Sequence, residues 1–105
     1  AVLNTINTRL DAETVAYILE HGEAKVLITD PQFASVVGPA LKKLRRRVYV
    51  IDVADALYTG PDERLGAIEY EDFLAGGNPD YRWSLPANEY DPIALNYTSG
   101  TTGRP

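Results

Sequence analysis

Apolar positions near the start of the chain follow first a strand pattern and then a helix pattern. Residues 1–6 (AVLNTI) are mostly apolar and partly β-branched, which suits a short strand. Asp11 has the side chain of a helix N-cap, and Gly22 stands where a left-handed C-cap residue is common. Between them, one helical face carries the apolar residues Ala12, Val15, Ile18 and Leu19. This pattern predicts a strand followed by a helix.

The alternation of strand and helix continues through residue 51. Residues 25–29 (KVLIT) have the length and apolar character of a strand, and Asp30-Pro31 then reads as an N-cap and a first helical position. The helix that follows carries Phe33, Val36, Val37, Leu41 and Leu44, and Gly38-Pro39 predicts a kink or a division into two short helices. Residues 48–51 (VYVI) form a third predicted strand. Strands and helices joined by short links predict parallel βαβ units with right-handed crossovers.

Beyond residue 52 the pattern is weaker. Residues 53–68 are mixed, with a turn expected at Gly60-Pro61, and residues 70–74 suit a short helix ended by Gly76-Gly77. Residues 78–92 read as an ordered connecting loop, and residues 93–97 (IALNY) resume a strand. We therefore predict an α/β layered structure with a mostly parallel sheet and flanking helices. Its parts are a βαβαβ unit (1–52), a connecting region (53–92) and a strand with a loop (93–105).

Composition and charge exclude several functional classes. The net charge of −5 argues against a nucleic-acid surface, because phosphate contacts need clustered Lys and Arg. The chain has no cysteine and a single histidine, His21, which excludes disulfides and argues against a zinc site. No apolar run approaches the ~20 residues of a membrane helix, so we expect no membrane span and a cytoplasmic protein. The chain also lacks methionine, which we interpret as a sign that it is a piece of a longer protein.

The stretch from Thr98 to Gly103 (TSGTTG) follows the last predicted strand directly. Glycines let successive backbone N–H groups converge on a phosphate, and hydroxyls can donate to its oxygens or bind Mg²⁺. Such loops lie at the carboxyl ends of parallel strands. A Ser/Thr/Gly linker remains an alternative, and residues 100–103 also fit the G-x-x-G of a KH domain, although the chain is acidic. The P-loop pattern and the dinucleotide fingerprint do not fit.

The segment YTSGTTGRP resembles the signature loop of the adenylate-forming (AMP-binding) enzymes, among them acyl-CoA synthetases, coumarate-type ligases, firefly-type luciferases and peptide-synthetase adenylation domains. In that family a Lys and a Gly follow the Pro at which this chain ends. Residues 91–97 (DPIALNY) are similar to the lead-in of the acyl-CoA synthetases, and residues 4–10 and 25–30 resemble the N-terminal domain of the same enzymes. The likeness is closest at 91–105 and weakest at 53–88.

The resemblance implies a flavodoxin-like fragment of an N-terminal AMP-binding domain. The parent protein would be an ATP-dependent acid–CoA ligase that activates a carboxylic acid, of fatty-acid type, as an acyl-adenylate and transfers it to coenzyme A. The ATP phosphates would be held by Thr98, Ser99, Gly100, Thr101, Thr102 and Gly103. Thr98 would also contact Mg²⁺. No residue can be named as a general acid or base, and the chain alone is expected to be inactive.

A second interpretation is a non-catalytic α/β binding or interaction module whose Ser/Thr/Gly loop holds an anion. In the ligase interpretation the partners are the small-molecule carboxylate, ATP and CoA, with no nucleic acid. Because a piece of a larger domain exposes sheet edges and apolar faces, we also expect the isolated chain to self-associate as a homo-oligomer.

Other polar clusters have a structural and a functional interpretation. His21 closes the first helix, where a partly positive imidazole suits the helix dipole. The basic run at residues 42–47 (KKLRRR) reads as a solvated helix end or as a nucleic-acid patch, and the acidic protein favours the helix end. Glu69, Glu71 and Asp72 could resemble a metal cluster, but neighbouring acids on a short helix diverge, so we expect them at the surface.

Overall fold

The computed structural model describes residues 1–98 and has a three-stranded parallel sheet at its centre. The strands are β1 (Val26–Thr29), β2 (Tyr49–Asp52) and β3 (Ile68–Glu69), in that spatial order. β1 and β2 pair along their whole length, whereas β3 pairs only with the last two residues of β2. The predicted α/β fold with a parallel sheet is confirmed.

Three helices flank this sheet: α1 (Ala12–His21), α2 (Ala34–Lys42) and α3 (Tyr70–Ala75). Asp11 caps α1 as predicted, since its Oδ1 accepts a hydrogen bond of 2.8 Å from the Thr14 backbone N–H. The hydrogen bonds from Thr14 lower the pKa of the Asp11 carboxyl below its ordinary value. No helix within residues 1–98 has both the length and the apolar character needed to cross a bilayer.

The C-terminal end of α1 differs from the prediction. Gly22 has a φ of −75°, and the residue in the left-handed region is Glu23, with a φ of 52°. Gly22 is needed for space instead of for conformation. A Cβ at this position would lie 2.9 Å from the Ile18 carbonyl oxygen and 3.2 Å from both the Asn4 Nδ2 and the Tyr97 hydroxyl.

The division into two short helices, one of the two outcomes predicted at Gly38-Pro39, is wrong. A 3₁₀ turn (Pro31–Phe33), capped by Asp30, leads into α2, and α2 then continues through Pro39. Pro39 has no N–H to donate to the carbonyl of Ser35, but Ser35 is exposed, so water can reach that group. α2 ends at Lys42, so most of the basic run lies in the loop before β2 instead of closing the helix.

The strands predicted at residues 1–6 and 93–97 are reduced to a single parallel bridge between Leu3 and Ala94. The Leu3 N–H donates to the Ile93 carbonyl at 2.9 Å, and the Leu95 N–H donates to the Leu3 carbonyl at 2.8 Å. The two segments thus lie side by side, outside the three-stranded sheet. The sequence predicted extended segments at both places, but residues 1–6 were expected to form the first strand of the βαβαβ unit. The structure pairs them with the segment at 93–97 instead.

The core lies between α1, α2 and the sheet. Val15, Ala16 and Leu19 of α1 pack with Ala40 of α2, and Leu27 of β1 lies against this cluster. Burying such side chains removes apolar surface from water, which is the main stabilising term in a domain of this size. The helical face predicted from the sequence of α1 is therefore the face that is buried.

Candidate functional site

Thr98 is the one predicted phosphate-loop residue within the described part of the chain, and it is exposed. Ser99, Gly100, Thr101, Thr102 and Gly103 lie outside the described residues. The geometry that bears on this loop is that of the segment leading into it, residues 93–98.

The backbone of this segment is held by the N-terminal segment of the chain. Beyond the bridge of Leu3 to Ala94, the Thr5 hydroxyl lies 3.4 Å from the Asn96 Oδ1 and donates to it. Parallel pairing fixes both the direction and the register of residues 93–96. The chain therefore enters the Ser/Thr/Gly stretch from a defined position.

The side chain of Tyr97 is held separately, by the end of α1. Its hydroxyl lies 2.8 Å from Nδ1 of His21. The ring of Tyr17, one helical turn before His21, stacks on the imidazole with centroids 5.3 Å apart and meets the Tyr97 ring edge-on at 6.3 Å. We call Tyr17, His21 and Tyr97 the aromatic cluster.

The Tyr97 hydroxyl keeps its proton at neutral pH. Burial raises the pKa of this phenol, and the neighbouring Tyr17 raises it further. The hydroxyl can donate to Nδ1 when the imidazole proton is on Nε2, and it can accept when Nδ1 carries the proton. The hydrogen bond therefore survives either tautomer of the ring.

The Tyr97 hydroxyl faces solvent on the side of the exposed His21 and lies near Gly22 and Asn4 on the other side. The Asn4 side chain approaches the same spot beside Gly22, and its Oδ1 is buried without a hydrogen-bond partner among residues 1–98. A side chain at position 22 would press on both Asn4 and Tyr97. The sequence predicted that His21 closes α1, but it gave no sign of the contact with Tyr97, because the two residues are 76 positions apart.

The other polar clusters have structural roles here. The guanidinium of Arg46 lies 3.7 Å from the carboxylates of both Glu20 and Glu23. It also donates a hydrogen bond of 2.8 Å to the Glu20 carbonyl, so the basic run contacts the C-terminal end of α1. Glu69 caps α3, accepting from the Glu71 N–H at 2.8 Å, and its other oxygen accepts from the Ala54 N–H at 3.2 Å.

A magnesium site cannot be built from the described residues alone. Thr98 offers one hydroxyl oxygen, a ligand type that Mg²⁺ accepts, but Mg²⁺ needs six oxygens and usually takes several from substrate phosphates and water. Within residues 1–98, no group of three or more acidic, His or Cys side chains could hold a metal ion. Thr98 fits a contributing role at most.

Comparisons with known proteins find CoA ligases that are similar to this chain over its whole length. The chain is 42% identical to an acetate/butyrate–CoA ligase of Arabidopsis thaliana and 36% identical to a 2-methylpropanoate–CoA ligase of Humulus lupulus. It is 39% identical to a trans-cinnamate:CoA ligase of Petunia hybrida. In each case all of this chain is matched, and it spans 20%, 20% and 21% of the respective relatives.

The Arabidopsis and Petunia relatives are named as peroxisomal enzymes, so the relatives do not support the cytoplasmic location expected from the sequence. The profile of the family described as AMP-binding enzyme matches residues 1–105. This chain, whose C-terminal stretch resembles the signature loop of that family, belongs to the AMP-binding enzymes.

Proposed function

We propose that this chain is part of an acid–CoA ligase that uses ATP to activate a carboxylic acid. The observation that carries the proposal is the match of the entire chain to acid–CoA ligases, together with the Ser/Thr/Gly sequence that follows residues 93–97. The activity is that of a longer protein, because this chain spans 20% of its ligase relatives.

The reaction proceeds in two displacements. A carboxylate oxygen of the acid attacks the α-phosphorus of ATP, and pyrophosphate leaves with the electron pair of the broken P–O bond. The thiol of CoA then loses its proton to solvent, its sulfur attacks the acyl carbon, and AMP leaves with the electron pair of the broken C–O bond. Residues 98–103 contribute to the first displacement by orienting the β- and γ-phosphates, a contribution of positioning and charge stabilisation. Mg²⁺ supplies further neutralisation of the phosphate charge when it is bound.

Short aliphatic acids are our first candidates for the substrate. Two of the relatives are named for acetate, butyrate or 2-methylpropanoate, and a third for trans-cinnamate. The fatty-acid type expected from residues 91–97 includes acetate and butyrate as its shortest members. An aromatic acid is the alternative within the same reaction class.

ATP–pyrophosphate exchange by the full-length protein, with Mg²⁺, tests this proposal. The panel contains acetate, butyrate, 2-methylpropanoate, octanoate, palmitate and trans-cinnamate. We expect exchange that depends on one of the short aliphatic acids. Exchange only with octanoate or palmitate, or only with trans-cinnamate, would reject the short-chain assignment and keep the ligase.

A substitution within residues 98–103 tests whether this stretch contributes to the exchange activity. Thr101→Ala removes one of the hydroxyls that we propose bind the ATP phosphates, and it is expected to lower the exchange rate by about 10-fold, the scale of one charge-assisted hydrogen bond. Thr8→Ala, in an exposed turn, is the matched control and should leave the rate unchanged. No exchange with any acid from a folded protein would favour the non-catalytic anion-binding module instead.

A further inference from the structure

We propose that His21 and Tyr17 are positioning residues for the ATP phosphates, and that they act through Tyr97. This inference rests on the proposed ligase function and adds a part of α1 to its machinery. Neither His21 nor Tyr17 belongs to the Ser/Thr/Gly stretch, and both lie far from it in sequence.

The aromatic cluster can act on the Ser/Thr/Gly stretch because Tyr97 directly precedes it. Tyr97 is bonded directly to Thr98, and successive Cα atoms are ~3.8 Å apart across a trans peptide. Fixing Tyr97 therefore fixes the point from which residues 98–103 start. The structure fixes it twice, through the backbone pairing of residues 93–95 with Leu3 and through the side-chain contacts with His21 and Tyr17.

The two attachments restrain different motions. Backbone pairing with Leu3 sets the direction of the segment, but it leaves rotation about the strand axis open at its last residue. The hydrogen bond of 2.8 Å to His21 and the edge contact with Tyr17 hold the Tyr97 ring and thereby limit that rotation. A glycine-rich loop gains most from such an anchor, because glycine has the largest conformational freedom to lose on binding a ligand.

The geometry of α1 supports this role. Tyr17 and His21 are four residues apart, so they lie on one face of the helix, and stacking keeps the imidazole oriented toward Tyr97. The helix itself is held rigid by the buried side chains of Val15, Ala16 and Leu19. The anchor for Tyr97 is thus mounted on a packed element instead of on a loop.

Steady-state kinetics of the full-length protein test the proposal. Tyr97→Phe keeps the ring and removes the hydroxyl, and His21→Leu keeps an apolar volume and removes Nδ1. Each variant is expected to raise the KM for ATP about 3- to 10-fold, the range for loss of one hydrogen bond, while the KM for the carboxylate stays within about 2-fold. Because both variants remove the same bond, the double variant should be no worse than the single ones.

Two further variants separate positioning from general stability. His21→Gln can still hydrogen-bond the Tyr97 hydroxyl and should recover most of the affinity for ATP. Tyr81→Phe is the matched control, since Tyr81 is 73% exposed, and should behave as the wild type. Melting temperatures measured on all variants complete the design.

The outcomes distinguish this inference from the function on which it rests. A wild-type KM for ATP in both Tyr97→Phe and His21→Leu would overturn the positioning role. A fall in melting temperature with equal rises of the KM for ATP, carboxylate and CoA would also overturn it, in favour of a purely structural pair. A wild-type protein without pyrophosphate exchange would reject the ligase proposal itself, and this role with it.

Discussion

Asp52, at the carboxyl end of β2, is a carboxylate that organises the chain that follows it. Asp52 is only 3% exposed. One carboxylate oxygen accepts a hydrogen bond of 3.3 Å from the Leu65 N–H, and the other accepts one of 2.7 Å from the Gly66 N–H. Gly66 can come this close because it has no Cβ, which would lie 2.6 Å from the Val50 carbonyl oxygen. This arrangement brings the chain back to β2 just before β3 begins.

Replacing Asp52 should therefore loosen β3. Asp52→Ala leaves two partly buried N–H groups without an acceptor, and we expect the free energy of unfolding to fall by about 1–3 kcal/mol. Urea unfolding followed by circular dichroism measures the change. Asp80→Ala, at an exposed position, is the control and should be nearly neutral. Equal stability of the two variants would mean that the Asp52 contacts contribute nothing net.

Among individual residues, the sequence predicted those whose role depends on neighbours along the chain. Asp11 and Asp30 cap helices because their carboxylates reach N–H groups two or three residues ahead, and such contacts are visible in a local pattern. Asp52 and the contact of His21 with Tyr97 depend on residues 13 to 76 positions away, and no local pattern marks them. The phosphate-binding stretch stays a prediction from its motif, whereas the contact of His21 with Tyr97 beside it was not predicted.

At the scale of elements, α2 shows how packing overrides a breaker. Val37 and Ala40 are buried on the two sides of Gly38-Pro39, so a break there would expose apolar surface that the continuous helix keeps buried. The cost is the missing hydrogen bond at Pro39, which falls on an exposed part of the helix. The helix tolerates the proline because only one carbonyl loses its partner.

Pro39→Ala should restore that bond. We expect the variant to be more stable by about 1–3 kcal/mol, since proline is far less favourable than alanine inside a helix. Thermal or urea unfolding checks this, with Ser35→Ala, an exposed change in the same helix, as the control. A variant that is less stable than the wild type would show that Pro39 makes packing contacts worth more than the hydrogen bond.

Elements were predicted well where the apolar pattern was long enough to be distinct. α1, β1 and β2 are confirmed within a few residues of their predicted ends, and α3 matches the short helix expected before Gly76. β3 was missed because it has two residues, too few for an alternating pattern. The hydrogen bond between Asp52 and the Gly66 N–H places the chain beside β2, where residues 68–69 then pair with it.

At the scale of the whole molecule, one face of the sheet is apolar and accessible over β1 and the first residue of β2, whereas Ile51 on the same face is buried. Val26 and Tyr49 are register partners, and Ile28 lies two residues further along the same face, with exposed fractions of 52%, 48% and 52%. Within the described residues, β1 is also an edge strand whose outer backbone groups pair with no other strand. Surfaces of this kind promote association between chains.

We therefore predict that the 105-residue chain alone self-associates through this face. Sedimentation velocity over a concentration series should show a monomer that gives way to larger species. Val26→Lys combined with Ile28→Lys should shift the onset to at least about 10-fold higher concentration, because it places charges on the contact. Leu57→Lys, at a residue that is 88% exposed and outside the sheet, is the control. A wild-type chain that stays monomeric throughout would contradict the prediction.

The pairing of Leu3 with Ala94 has a consequence for the order in which the molecule folds. Almost the whole described chain lies between these two residues, and closing a loop of roughly 90 residues costs about 4 kcal/mol of chain entropy. Contacts within the βαβ region close much shorter loops, which cost less chain entropy. We expect these contacts to form first and to offset part of the entropy cost before the two ends meet. We therefore expect the segment that leads into the Ser/Thr/Gly stretch to fold late, after the helix that carries His21.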